Sequence, residues 1–320
     1  MTPLIEVEGL SLSYRTAGGE VSALREVSVR ADAGEVLGIV GESGSGKSTL
    51  ASAMIRLNGV NARVTGGSVR YRGQHVLALA PEDMRALRGS KIAMVFQDPM
   101  TAFNPVLTIG NQLLDFQHNR KASRSDKTAR ATDVLERVGL ADAAAVMNRY
   151  PHELSGGMRQ RVAIAAALAM DPDVLIADEP TTALDVTMEA QIIHLLRALR
   201  ADFGGAIIIV THHLGVIAEL ADRVAVMYAG EVVEDGPVDA IFHDARHPYT
   251  QALLACDPAQ LAVGEAELPT IAGSLPDLTA LTGGCAFAPR CARALPVCAT
   301  RPPRVRLGQG RSALCHRVAA

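Results

Sequence analysis

The 320-residue sequence has no apolar run long enough to cross a bilayer. Its longest candidates, residues 162–170 and 206–210, fall far short of the ~18 residues a span needs and fit core elements instead. The first fourteen residues carry Glu6 and Glu8 and lack a basic stretch followed by an apolar core, so no secretory signal is expected there. Cysteine is sparse, five residues in all, and in a chain expected to be cytosolic these are thiols or metal ligands rather than disulfides. One region has no acid: from Leu278 onward there is no Asp or Glu, against seven arginines, Arg290, Arg293, Arg301, Arg304, Arg306, Arg311 and Arg317. With those seven set aside, the first 277 positions hold 24 basic and 34 acidic residues, a net charge of −10 where the whole chain has −3. Four of the five cysteines fall in the same basic stretch, which makes the tail a separate module by composition. No internal repeat is present. The 48% hydrophobic and 20% charged content excludes a mainly disordered chain and allows one large domain plus a smaller one, or two domains.

Along the chain, strand and helix patterns alternate. Residues 5–14 and 23–30 alternate apolar with polar, as half-buried strands do, and Ala-Gly-Glu at 33–35 is a turn. Residues 36–40 form a short apolar run expected to be a buried parallel strand. A glycine-rich loop follows, then a predicted helix over 47–57 and a strand over 91–96. From 108 to 170 helical periodicity takes over, broken at 120–126 and 148–152, which predicts a helical subdomain inserted in an α/β core. Strands are predicted at 174–177 and 207–210 with a helix over 187–202 between them, and a hairpin or meander over 223–235. The alternation predicts a mainly parallel sheet with helices on both faces and an antiparallel part. Pro, Gly and Ala enrichment over 257–284 predicts a loose connection into the tail.

Gly41-Glu42-Ser43-Gly44-Ser45-Gly46-Lys47-Ser48 matches G-x-x-x-x-G-K-[ST], placed after an apolar strand and before a helix, the context the motif requires. Glycines let backbone N–H groups curl round an anion, and the helix N-terminus adds its partial positive charge. Lys47 is expected on the β- and γ-phosphates and Ser48 on Mg2+. Asp178-Glu179 end the strand at 174–177. Asp178 is expected to hold Mg2+ through water, and Glu179 to act as general base on the attacking water.

Leu154-Ser155-Gly156-Gly157-Met158-Arg159-Gln160-Arg161 precedes another helix and resembles the signature motif of ABC ATPases. That resemblance implies a second anion site at Ser155, Gly156 and Gly157 that closes in trans over the ATP held by a partner subunit. Met158 stands where Gln is usual, in the Arg-Gln-Arg variant found among peptide-importer ATPases. The resemblance extends to Gln97 as the Q-loop glutamine touching Mg2+, to Ala183-Leu184-Asp185 as the D-loop, to His212 as the switch histidine on the γ-phosphate, and to Tyr14 as the aromatic stacking on adenine. His213 is read as a surface histidine. For Tyr14 a plain core aromatic is an equal alternative. The implied ATP set is Tyr14, Gly41, Ser43, Gly44, Gly46, Lys47, Ser48, Thr49, Gln97 and Asp178, with Glu179, His212 and Gln97 catalytic. The resemblance spans about residues 4–255.

His247-Pro248-Tyr249-Thr250 and the cysteine-bearing end resemble the C-terminal extension of oligopeptide, dipeptide and nickel importer ATPases. The implied division is an ATPase domain over 1–255, with its helical subdomain at about 108–170, and an extension over 256–320. The implied partners are a second ATPase subunit, often a different chain, two membrane permease subunits and a solute-binding protein, with the chain at the cytoplasmic side of the membrane. A soluble ABC ATPase acting on nucleic acid or ribosomes is the competing class. It is disfavoured by a single ATPase set and an acidic core, a poor match to a phosphate backbone. Cys285, Cys291, Cys298 and Cys315 are four thiolates, the number a 4Fe–4S cluster or a Zn2+ site takes. Their gaps include no CxxC knuckle, which favours the cluster. Seven arginines and no acid would offset its negative charge. Unligated thiols are the plain alternative, and a metal-sensing tail that regulates the ATPase a third reading. Cys256 is read as a core thiol.

Overall fold

The computed structural model describes residues 2–182, 184–257, 269–281 and 283–318, without the side chain of Met100. Residue 183 of the D-loop and residues 258–268 of the connection lie outside the described residues.

The strands are β1 (Ile5–Thr16), β2 (Gly19–Ala31), β3 (Val36–Val40), β4 (Ala62–Tyr71), β5 (Gln74–His75), β6 (Ile92–Val95), β7 (Val174–Asp178), β8 (Ala206–Thr211), β9 (Arg223–Tyr228), β10 (Glu231–Pro237), β11 (Arg304–Gly308) and β12 (Arg311–Leu314). The first sheet is antiparallel, in the order β2-β1-β4-β5. The second has eight strands in the order β11-β12-β10-β9-β3-β8-β7-β6. Its half from β9 to β6 is parallel, and β10, β11 and β12 continue it antiparallel. Every residue of β3, β7 and β8 is buried, which is why these strands read as unbroken apolar runs.

One core cluster packs the antiparallel sheet and the Lys47–Met54 helix against one face of the large sheet. The other lies on the opposite face, beneath the helical subdomain and the Val186–Asp202 and Leu214–Leu220 helices. In the subdomain the Ile109–Phe116, Arg124–Arg137, Ala143–Asn148 and Gly156–Leu168 helices are each N-capped by a side chain, from Thr108, Ser123, Asp142 and Ser155.

The helix expected over 47–57 stops at Met54, because Arg56 turns the chain at φ 51°. The strand expected over 91–96 is Ile92–Val95. Two features escape the sequence pattern. The β4 strand contains Gly66-Gly67, which hides its alternation. The β11–β12 hairpin is a run of arginines interleaved with Val305, Leu307 and Ala313 about a Gly308-Gln309-Gly310 turn. Pairing of Glu234 with Ala313 and of Asp235 with Ser312 joins it to β10. The tail is distinct in composition yet continuous with the main sheet.

Candidate functional site

The chain leaves β3 at Val40 and turns through residues 41–46 into the Lys47–Met54 helix. Gly41 has φ 152°, and a Cβ there would lie 2.1 Å from the Met227 carbonyl oxygen. Gly46 has φ 101°, with a Cβ meeting the Ala23 carbonyl oxygen at 2.6 Å. The loop is thus wedged between β2 and β9 where only glycine fits. Among the described residues no side chain caps the helix N-terminus, and the buried Ser45 hydroxyl has no partner. These are donors left over for a ligand, the arrangement an anion needs.

Lys47 is buried and donates to the carbonyl oxygens of Gly41 at 2.8 Å and Glu42 at 3.0 Å. Burial lowers its pKa, while Glu179, Asp178 and Glu42 pull the other way. Ser48 Oγ donates to Asp178 Oδ1 at 3.1 Å. Burial raises the Asp178 pKa, and the Ser48 bond opposes it. A hydroxyl and a buried carboxylate in contact beside a lysine suit a divalent cation bound with phosphate. Glu179 follows at φ 50°, a left-handed conformation that costs a non-glycine residue about 1–3 kcal/mol. Its carboxylate Oε2 accepts from Thr182 Oγ1 at 2.9 Å, and its Oε1 lies 2.9 Å from His212 Nδ1.

These residues border one cavity of about 750 Å³. Gly41, Glu42, Ser43, Gly44, Gly46, Lys47, Ser48 and Thr49 line it, together with Gln97, Glu179, His212 and Tyr14. Asp178 reaches it through Ser48. The Tyr14 hydroxyl accepts from Asn58 Nδ2 at 3.2 Å, which leaves the ring on the cavity wall. Leu253, Leu275 and Leu278 complete the wall. The connection into the tail is therefore more than a spacer: Leu278 accepts the Ser22 N–H at 3.2 Å and faces the cavity.

Sequence reasoning missed a set of contacts that anchor the loop from the other side. The Glu42 N–H donates to the Tyr249 hydroxyl at 2.9 Å, and the Glu42 carboxylate pairs with Arg290 at 2.8 Å. His-Pro-Tyr was visible as a motif. Nothing local in the sequence ties Arg290 to a residue 248 positions away.

In the tail, Cys285, Cys291, Cys298 and Cys315 line one small void of about 10 Å³ together with His247, Pro248, Phe287 and His316. Burial pushes the Cys285 thiol up to about 11 and raises that of Cys315. The expectation of a formed four-cysteine centre is not met in this arrangement. Among the described residues no three His, Cys, Asp or Glu side chains are grouped to hold a metal ion. The void has room for about one water, too little for a cubane cluster. The donor chemistry suits a thiophilic metal, but the site is not formed in this arrangement. Cys256 is half-buried at the end of the Pro248–Ala255 helix, not in the core as expected, and is not among the lining residues.

Residues 24–182 match the ABC transporter family, and residues 233–298 match the oligopeptide/dipeptide transporter C-terminal region. A putative peptide import ATP-binding protein of Brucella abortus (strain 2308) is 48% identical over 316 residues, 98% of this chain and 94% of that one. The oligopeptide transport ATP-binding protein OppD of Bacillus subtilis (strain 168) is 48% identical over 93% of this chain and 84% of its own length. The chain belongs to the ABC transporter ATP-binding proteins, in the oligopeptide/dipeptide branch. A dimeric ATP-binding cassette in a post-hydrolysis state, bound to ADP and Pi, shares the fold at a TM-score of 0.65 and 30% identity, over 73% of this chain and 98% of that one. CbiO1 from Clostridium perfringens, part of an ABC transporter complex, does so at a TM-score of 0.66 and 30% identity, over 76% and 92%.

Within this ABC fold the residues that resemble the signature motif are not among those that line the cavity. Ser155 and Gly156 are exposed at the start of the Gly156–Leu168 helix, where Ser155 Oγ accepts the Met158 N–H at 3.3 Å. Met158 packs half-buried against the core, a position an apolar side chain suits better than Gln. The His213 ring lies tilted beside that of His212, with centroids 4.3 Å apart, and is 3.5 Å from Glu189, a satisfied surface histidine. Among the described residues no helix is long and apolar enough to cross a membrane.

Proposed function

We propose that this chain binds and hydrolyses ATP in the 750 Å³ cavity and powers peptide import as the ATP-binding subunit of an ABC importer. The observation that carries the reading is the convergence on one cavity of an uncapped helix N-terminus, Lys47, the Ser48–Asp178 pair and the Glu179–His212 pair. In this reading Lys47 and the loop N–H groups hold the phosphates. Ser48, Asp178 and Gln97 would hold Mg2+, which would neutralise phosphate charge. Glu179 takes the proton of the attacking water, and His212, already on its carboxylate, orients that exchange. Tyr14 would stack on the adenine, and Thr49 lines the same cavity.

Ser155, Gly156 and Gly157 serve a partner's nucleotide, so the working unit pairs this chain with a second ATPase subunit. Two permease subunits and a solute-binding protein complete the importer, with the chain peripheral at the cytoplasmic face. Residues 1–255 act as the ATPase domain, with the helical subdomain at 108–170, and 256–320 as the extension. The four thiols gathered on one void, among arginines and no acid, support a metal centre there, a 4Fe–4S cluster or Zn2+, formed with local rearrangement. Nickel or another small solute is the alternative cargo within the branch.

Co-purification tests the assembly: the tagged chain should sediment with membranes and bring down two membrane subunits and a solute-binding protein with bound peptide. Recovery with ribosomes, and none with membranes, would contradict it.

A further inference from the structure

Every polar group of Glu42, the second residue of the glycine-rich loop, is engaged. Its N–H donates to the Tyr249 hydroxyl at 2.9 Å, and its carbonyl oxygen accepts from Lys47 Nζ at 3.0 Å. Its carboxylate takes both arms of Arg290, Nη1 to Oε2 at 2.8 Å and Nη2 to Oε1 at 3.0 Å. Arg290 is in turn fixed by bonds to the carbonyl oxygens of Ile271 at 3.1 Å and Ala272 at 3.0 Å and to the Tyr228 hydroxyl at 3.3 Å. Its side chain is 4% exposed. The charge pair holds the guanidinium pKa above its usual value. Arg290 immediately precedes Cys291, so the segment that carries the cysteine void also carries the clamp on the loop.

Glu42 is the only acid in the loop, and it lies where the loop turns to cradle an anion. A free carboxylate there would repel phosphate in a partly desolvated cavity, where charges are weakly screened. A forked arginine–carboxylate pair both cancels that charge and fixes its direction. Buried pairs of this kind add little net stability, which leaves geometry and charge control as what the contact supplies.

We propose that Arg290 is a positioning residue of the nucleotide site: the C-terminal tail, through Arg290, neutralises and holds Glu42 so that the loop and Lys47 can accept phosphate. The tail then sets ATP affinity within the same chain. The proposal rests on the reading that residues 41–48 hold the phosphates.

The test is the Kd for MgATP of the full chain in four forms: wild type, Arg290→Ala, Glu42→Gln and the double variant. Arg290→Ala should raise Kd roughly tenfold by exposing an uncompensated carboxylate. Glu42→Gln alone should change it by less than about threefold, because it removes the carboxylate that would repel phosphate while the amide oxygen still accepts from Arg290, which keeps its bonds to Ile271, Ala272 and Tyr228. Adding Glu42→Gln to Arg290→Ala should bring Kd back to within about threefold of wild type. A tail that had merely lost its fold would gain nothing from the second substitution, so the rescue separates the two causes. An unchanged Kd in Arg290→Ala, or a double variant no better than Arg290→Ala, would overturn the proposal. Lys47→Ala measured alongside tests the underlying reading: if it binds MgATP like wild type, the loop does not hold phosphate, whatever Arg290 does.

Discussion

His212 Nδ1 and Glu179 Oε1 lie 2.9 Å apart, joining the ends of neighbouring parallel strands β8 and β7. Asp178 pairs with Val210 in the sheet register, so the two residues that follow the strands are delivered side by side. The left-handed turn at Glu179 and the Thr182 bond aim the carboxylate at the cavity rather than into the sheet. A strained residue held by neighbours on both sides is what a positioned base requires.

Glu179→Gln should therefore bind ATP normally and hydrolyse it roughly 10²–10⁴-fold more slowly. With hydrolysis blocked, the ATP-bound form should accumulate as a closed dimer, visible by sizing with and without ATP. Turnover at the wild-type rate would mean that the base lies elsewhere.

Ser155 lies outside the cavity that Lys47 lines. Ser155→Arg should leave ATP affinity of the isolated monomer within about twofold of wild type, since no contact to this chain's own site is lost, and abolish the ATP-dependent dimer. A monomer whose affinity collapses on this change would contradict action in trans.

His247 should make the chain acid-sensitive. Burial holds its folded pKa down at about 4 against 6.5 when free. Its Nδ1 accepts the Tyr249 N–H at 3.0 Å, and Glu234 accepts its backbone N–H at 2.9 Å. The unfolded state binds the extra proton below pH 6.5, so this contribution is complete above 6.5 and fades as pH falls to about 4, up to about 3 kcal/mol in all. Burial shifts Glu234 upward, which gives the opposite slope above pH 4.5, and that slope cancels between two proteins that both keep it. Denaturant unfolding of wild type and His247→Gln should differ most near pH 7 and converge toward pH 4. A pH-independent gap would remove the role of this histidine.

For the tail, anaerobically purified protein should be brown with about four irons per chain, the content of a cubane cluster. Colourless protein with one zinc would keep the four-thiol site and change its metal. Absence of both, with the tail folded, would leave four plain thiols.

The parallel strands and the phosphate loop were legible because burial on both faces writes unbroken apolar runs, and because a Gly-rich turn between strand and helix has few other uses. Lys47, Ser48, Asp178, Glu179, Gln97 and His212 were readable for the same reason: each sits at a strand end or a helix start. Long-range pairings were not. The β11–β12 hairpin looked like a basic tail because its outward residues are arginines, several of them paired with acids of the core, such as Arg311 with Asp244 and Arg304 with Asp235. Part of the charge contrast that suggested two modules is spent in pairs between them, Arg290, Arg301, Arg304 and Arg311 each meeting an acid of the core. The Arg290–Glu42 clamp belongs to the same class, since a buried ion pair across 248 positions leaves no periodicity to read.

The central claim is that the loop at residues 41–48 holds the phosphates of ATP, and MgATP binding to Lys47→Ala tests it most directly. The buried Lys47 ammonium supplies a charge-assisted contact of about 1.5–3 kcal/mol, so calorimetric affinity should fall by at least roughly tenfold while the thermal melt without nucleotide stays close to wild type. Affinity equal to wild type in a folded variant would contradict the account.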